Sequence, residues 1–231
     1  MRYGLAGLAG GLAMMIGATL ATSASAQGET AAQVRPGSET ASRVSANDWR
    51  EAKRFGMCVA GSNLNEARIM IDQGLTDESV EHRSPARFLN RFQGCVASRN
   101  ALSSVLFYGG LAEGVLAEQA DVVATLAPGS TEQVTAYIKG INPRFYGATG
   151  DRPTIQLATE CRVGFAPGQA RAVLEFEPGT PEYDQAVNVL RAATPQCAEI
   201  DKDVTRDVYI ERAYLNIALY HWMRFRTESA S

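Results

Sequence analysis

Four cysteines, Cys58, Cys95, Cys161 and Cys197, are the residues whose spacing says most about chemistry. "CVAGSNLNEAR" at 58–68 returns as "CRVGFAPGQAR" at 161–171, with Cys, Gly, Ala and Arg at the same offsets. Laying residue n on residue n+103 puts Cys58 on Cys161, Gly61 on Gly164 and Ala67-Arg68 on Ala170-Arg171. A one-residue deletion brings Cys95 onto Cys197, and the first register then resumes, with Leu116 on Leu219. The cysteines of a pair are 37 residues apart in one copy and 36 in the other. A duplicated unit must have folded as a unit, so its cysteines pair most simply within it. The expected bridges are Cys58–Cys95 and Cys161–Cys197, each removing ~4 kcal/mol of chain entropy from the unfolded state. An even cysteine count in an exported chain is the pattern of structural disulfides. No C-x-x-C supports a thioredoxin-type redox pair. His82 and His221 are the only histidines, and no cluster supplies four converging zinc ligands. Neither a metal nor a cofactor is expected.

Arg68 and Arg171 are the charged residues that the repeat keeps in both copies. They are candidate anion- or carboxylate-binding positions. Asp72 and Glu175 lie four residues on, which places each acid beside its arginine on one helix face. An ordinary surface ion pair is the competing reading. Glu113 sits inside the apolar, glycine-rich stretch "FYGGLAEGVLAE". Buried there, a carboxyl would have a raised pKa and the makings of an acid catalyst; facing solvent or a polar groove, it would be ordinary. Its counterpart in the second copy is Asn216, so the repeat builds no pair of acids. His82, in "DESVEHRSPAR", is a candidate general base beside Asp77, Glu78 and Glu81. No G-x-S-x-G, H-E-x-x-H, P-loop or dinucleotide glycine motif is present.

The elements that must position these residues read as helices. Val- and Ile-rich alternation of the strand type is almost absent. Helices are predicted over 47–61 with Asn47-Asp48 as caps, from Asn63 through Ile71, from Pro85, and over about 100–119. Gly109, Gly110 and Gly114 each cost a helix ~1 kcal/mol against Ala, so their presence predicts a close helix crossing. The second copy repeats the plan at 154–164, 167–176, 181–193 and about 204–226, with Pro167 and Pro181 in first turns. Tyr209, Tyr214, Tyr220, Trp222 and Phe225 crowd the last helix. They read as core first and as a partner surface second. "GTPEYDQAVNVLRAA" at 179–193 resembles one helix of a tetratricopeptide repeat, but the period here is 103 residues, against 34 in that family.

The expected fold class is all-α: two homologous helical modules of about four helices each, each with one internal disulfide. Residues 1–26 read as a signal peptide: Arg2, an uncharged stretch from Leu5 to Ala21, then Ala24-Ser25-Ala26 as the cleavage site. Residues 27–45 read as a flexible leader, 46–119 as the first module, 120–152 as a linker and 153–231 as the second module. After the leader no apolar run reaches the ~18 residues that a membrane span needs. The formal net charge is −3 with no block of one sign, which argues against a nucleic-acid partner. The expected location is the periplasm or the medium. The expected function is a non-enzymatic helical-repeat scaffold that binds another envelope protein or a peptide. The alternative is an envelope hydrolase or lyase whose cleft uses Glu113 or His82.

Overall fold

In the computed structural model, residues 44–75, 85–96, 103–141, 152–204 and 207–229 are described. The proposed signal peptide, most of the leader and His82 lie outside them. Helices dominate the described residues, and no strand occurs among them. The helices are α1 (Ala46–Ser62), α2 (Leu64–Leu75), α3 (Pro85–Arg91), α4 (Ser104–Glu118), α5 (Ala120–Ala124), α6 (Thr131–Lys139), α7 (Arg152–Phe165), α8 (Pro167–Val173), α9 (Pro181–Ala193) and α10 (Val208–Glu228). Short 3-10 turns at Gln93–Cys95 and Pro195–Ile200 precede α4 and α10.

Local chemistry sets most of these boundaries. Ser45, two residues before the expected caps, starts α1. Its hydroxyl accepts from the Asp48 amide at 3.2 Å, and the Asp48 carboxylate accepts from the Ser45 amide at 2.9 Å, closing a reciprocal capping box. Asp48 is therefore the third residue of the helix. Asn63 accepts from the Glu66 amide at the start of α2, at 3.1 Å. Ser103, Thr180 and Asp207 cap α4, α9 and α10. Pro167 and Pro181 open α8 and α9, where a missing N–H costs nothing. Gly179, at φ 86°, turns the chain into α9 through a conformation that other residues rarely adopt.

The centre of the molecule is the pair α4 and α10, which pack on each other. Every residue from Ser104 to Leu116 is buried, as is every residue from Arg212 to Met223. A helix apolar all round belongs in the interior, and here each is covered on its other side: α4 by α1 and α2, α10 by α7. The glycines set the distances. A Cβ on Gly56 would collide with the Gly110 carbonyl, one on Gly110 with the Ala52 carbonyl, and one on Gly114 with the Gly56 carbonyl. Thus α1 and α4 touch backbone to backbone. Across the other contact, a Cβ on Gly109 would lie 2.7 Å from the Ala213 Cα.

Both disulfides are formed in the expected pairing. Cys58 on α1 joins Cys95 with Cα atoms 5.6 Å apart, and Cys161 on α7 joins Cys197 at 5.9 Å. Each ties the first long helix of its half to the 3-10 turn ahead of the central helix. The order of elements is the same in the two halves: a long helix, two further helices, a cysteine-bearing 3-10 turn and a central helix. The apolar interior is nevertheless one cluster, running from Trp49 through α4 and α10 to Tyr183. Between the halves, α5 contributes Val123 to it, and α6 packs on α7 and contributes Val134 and Tyr137.

Candidate functional site

Glu113 lies where α4 crosses α10, 9% exposed. One oxygen accepts from Arg212 at 3.1 Å and from Lys53 at 3.2 Å; the other accepts from Asn216 Nδ2 at 2.9 Å. Burial pushes the carboxyl up, but Arg212 and Lys53 outweigh it and hold the pKa below the usual carboxylate value. Burial without cations would have raised it. The cations come from α10 and α1, which local sequence could not place.

Arg212 is itself 1% exposed. Besides Glu113, its guanidinium donates to the carbonyls of Val173 and Leu174, each at 2.9 Å, and to that of Phe176 at 3.1 Å. These carbonyls lie at and just beyond the C-terminal end of α8. Its charge also lies 6.0 Å from the centre of the Trp49 ring. One arginine thus joins the α4–α10 crossing to α8. Sequence reasoning passed over Arg212; its one signal was a charge at the start of a stretch with no further Asp, Glu, Lys or Arg until Arg224.

A second buried polar cluster also went unread. Glu160 on α7 is fully buried, accepts from the Tyr137 hydroxyl, and faces His221 Nδ1 at 2.9 Å. Tyr137 belongs to α6, inside the segment read as a linker, so its arrival beside Glu160 is a tertiary event. Nearby on α7, Arg162 makes a bidentate pair with Asp201 at 3.0 and 2.9 Å. His221 is therefore a core residue of α10, together with Tyr214, Tyr220 and Trp222.

The two repeated arginines occupy different settings. Arg68 Nε donates to Gln119 Oε1 at 3.1 Å. Its neighbour Asp72 accepts from the Tyr220 hydroxyl at 2.7 Å and lies 3.6 Å from Arg224. Arg171 pairs with Glu175 at 3.7 Å, the expected one-turn spacing, with both side chains exposed. Arg171 and Glu175 help line a groove of ≈ 210 Å³ between α8 and the α4–α5 junction. Leu116, Ala117, Ala120, Val123 and Leu174 line it, and Glu113 borders it. Two candidate residues, Glu113 and Arg171, thus meet at one groove. Arg68 lies instead on α2, in the other half. No grouping of three or more His, Cys, Asp and Glu side chains fit for a metal occurs among the described residues, and none of their helices is long and apolar enough to cross a membrane.

Comparison with known proteins finds no match: no family model, no curated protein and no solved structure is similar to this chain.

Proposed function

We propose that this protein is an exported, non-catalytic binding scaffold of the bacterial envelope. It is made of two homologous helical halves, 46–119 and 153–231, with 120–152 between them. Three observations support the duplication. The element order repeats, each disulfide joins equivalent elements, and the central contact matches residue to equivalent residue. Asn216 meets Glu113 across 103 residues, and Asn216 on the Gly109 carbonyl has its counterpart in Arg212 on Glu113. Two disulfides favour an oxidising compartment.

The observation that carries the binding role is the groove at Arg171, open beside a carboxylate already committed to the fold. Its lining is mainly apolar with polar groups at the edge, the usual make-up of a recognition site. Cross-linking in the native envelope, with capture of the chain, is expected to recover one specific partner. Repeated recovery of none would overturn the reading. Mature chain is expected to begin at Gln27.

The position of Glu113 beside the groove favours a second reading, a hydrolase or lyase using this carboxylate. Glu113 held ionised cannot donate the proton that an acid catalyst must supply, although it could accept one. Glu113→Gln would then abolish an activity found on envelope substrates, beyond what its loss of stability at the Arg212 pair accounts for. His82 remains the other candidate base of that reading.

A further inference from the structure

The groove at Arg171 has a counterpart in the other half, and there it is filled. Adding or subtracting 103 carries Ala117 to Tyr220, Ala120 to Met223, Leu174 to Ile71, Arg171 to Arg68 and Glu175 to Asp72. In the first-half counterpart the Tyr220 ring is fully buried, and its hydroxyl donates to Asp72 at 2.7 Å. Arg68 is close enough to act on the phenol electrostatically. At the groove, Ala117 ends at its Cβ, and Glu175 and Arg171 line it with exposed side chains. Among the described residues the chain therefore shows both a filled and an open form of one arrangement. The occupied form shows what fits: an aromatic ring buried in the apolar core, with a hydroxyl donated to the acid one turn after the arginine.

We propose that the groove formed by Ala117, Ala120, Leu174, Arg171 and Glu175 binds a tyrosine side chain presented by a peptide segment of a partner protein. The apolar walls take the ring, and Glu175 accepts the phenolic hydrogen as Asp72 does from Tyr220. Arg171 sits beside that contact and balances the acid. A phenylalanine ring would meet the same walls and leave Glu175 without a donor. This rests on the binding-scaffold reading above and gives its partner a chemistry.

The test uses the mature full-length chain, 15N-labelled, titrated with the peptide acetyl-Gly-Tyr-Gly-amide and followed by NMR. Shift changes are expected at the end of α4, in α5 and in α8. The Phe peptide is expected to bind about tenfold more weakly, the equivalent of one hydrogen bond to a charged group. Glu175→Ala should remove that difference between the peptides. Ala117→Tyr supplies the missing ring from within and should abolish binding while raising the unfolding temperature. Equal binding of the two peptides, undiminished binding to Ala117→Tyr, or no binding at millimolar peptide would each overturn the proposal. So would binding of free phenol without binding of the peptide, since the occupant would then be a small molecule. A separate variant, Tyr220→Ala, empties the first-half counterpart. Free phenol should restore part of its lost thermal stability, and no restoration would remove the template on which the proposal stands. Envelope cross-linking separates the two levels. A partner captured equally by wild type and Ala117→Tyr defeats the tyrosine groove and leaves the scaffold reading. Peptide binding without any captured partner does the reverse.

Discussion

Asn216 donates to Glu113 at 2.9 Å, and the two residues stand 103 residues apart, the offset at which the sequence repeats its cysteine pattern. On the duplication proposed above, contact between residues equivalent by sequence is what a two-fold relation between the halves would give, as in the self-matching interface of a symmetric dimer. On that reading the α4–α10 crossing would be such an interface within one chain. The halves differ at its centre in charge. Lys53 and Glu113 in the first correspond to Gln156 and Asn216 in the second, a pair of neutral amides.

Removing Glu113 is expected to cost more than any surface change. Glu113→Ala leaves the guanidinium of Arg212, 1% exposed, without its carboxylate. Breaking such a buried pair costs about 3–5 kcal/mol. Urea unfolding at pH 7 measures it, and a loss below ~1 kcal/mol would contradict the assignment. The pH dependence has a definite sign. The folded pKa lies below the ordinary 4.5, so ionised Glu113 contributes in full above that value. The contribution is lost as pH falls through the lower folded value.

Glu211 carries the opposite sign. Burial raises its pKa, and Arg191, at 2.7 Å, offsets this only in part. Stability contributed by the proton is complete below the ordinary value of 4.5 and is lost as pH rises through the raised folded value. Glu211→Gln is expected to be neutral or stabilising at pH 7, by up to ~1 kcal/mol, and without effect at pH 4. A clear destabilisation at pH 7 would show that the Arg191 pair outweighs burial.

Gly110→Ala tests the close crossing by the sign of its effect. Helix propensity alone would stabilise by ~1 kcal/mol. The new methyl would strike the Ala52 carbonyl, so a net loss of ~1–3 kcal/mol is expected. Gly168→Ala on α8 meets nothing within 4 Å and is the control. It should be neutral or slightly stabilising when both variants are compared by thermal unfolding.

The shared interior predicts one unfolding transition. Trp49 reports on the first half and Trp222 on the second, and both are buried in the same cluster. Variants keeping only one tryptophan should unfold at coincident midpoints once each is referred to its own circular-dichroism transition. Replacing Cys58 and Cys95, or Cys161 and Cys197, by serine should lower that single transition by up to ~4 kcal/mol. Separate melting of the halves would show instead that each is held by its own core.

Much of this molecule is local in origin and could be read from residue order. Matched cysteine spacing named both disulfides. Pro167 and Pro181 marked helix starts because their ring geometry and missing N–H suit a first turn. Gly109, Gly110 and Gly114 announced a close crossing because a helix bears their cost only where a neighbour needs the space. Which helices cross there was decided by tertiary structure alone. A residue on a helix buried all round has no solvent face to reveal its direction, so periodicity could not say that Glu113 meets Arg212 and Lys53. The Tyr137–Glu160–His221 cluster draws on three helices, and α6 came from a stretch with no counterpart in the repeat. The contrast between Tyr220 and Ala117 stands in the aligned sequence. Only the tertiary structure, which brings Asp72 of α2 to Tyr220 of α10 and sets Leu174 beside the end of α4, turns it into one filled groove and one open one.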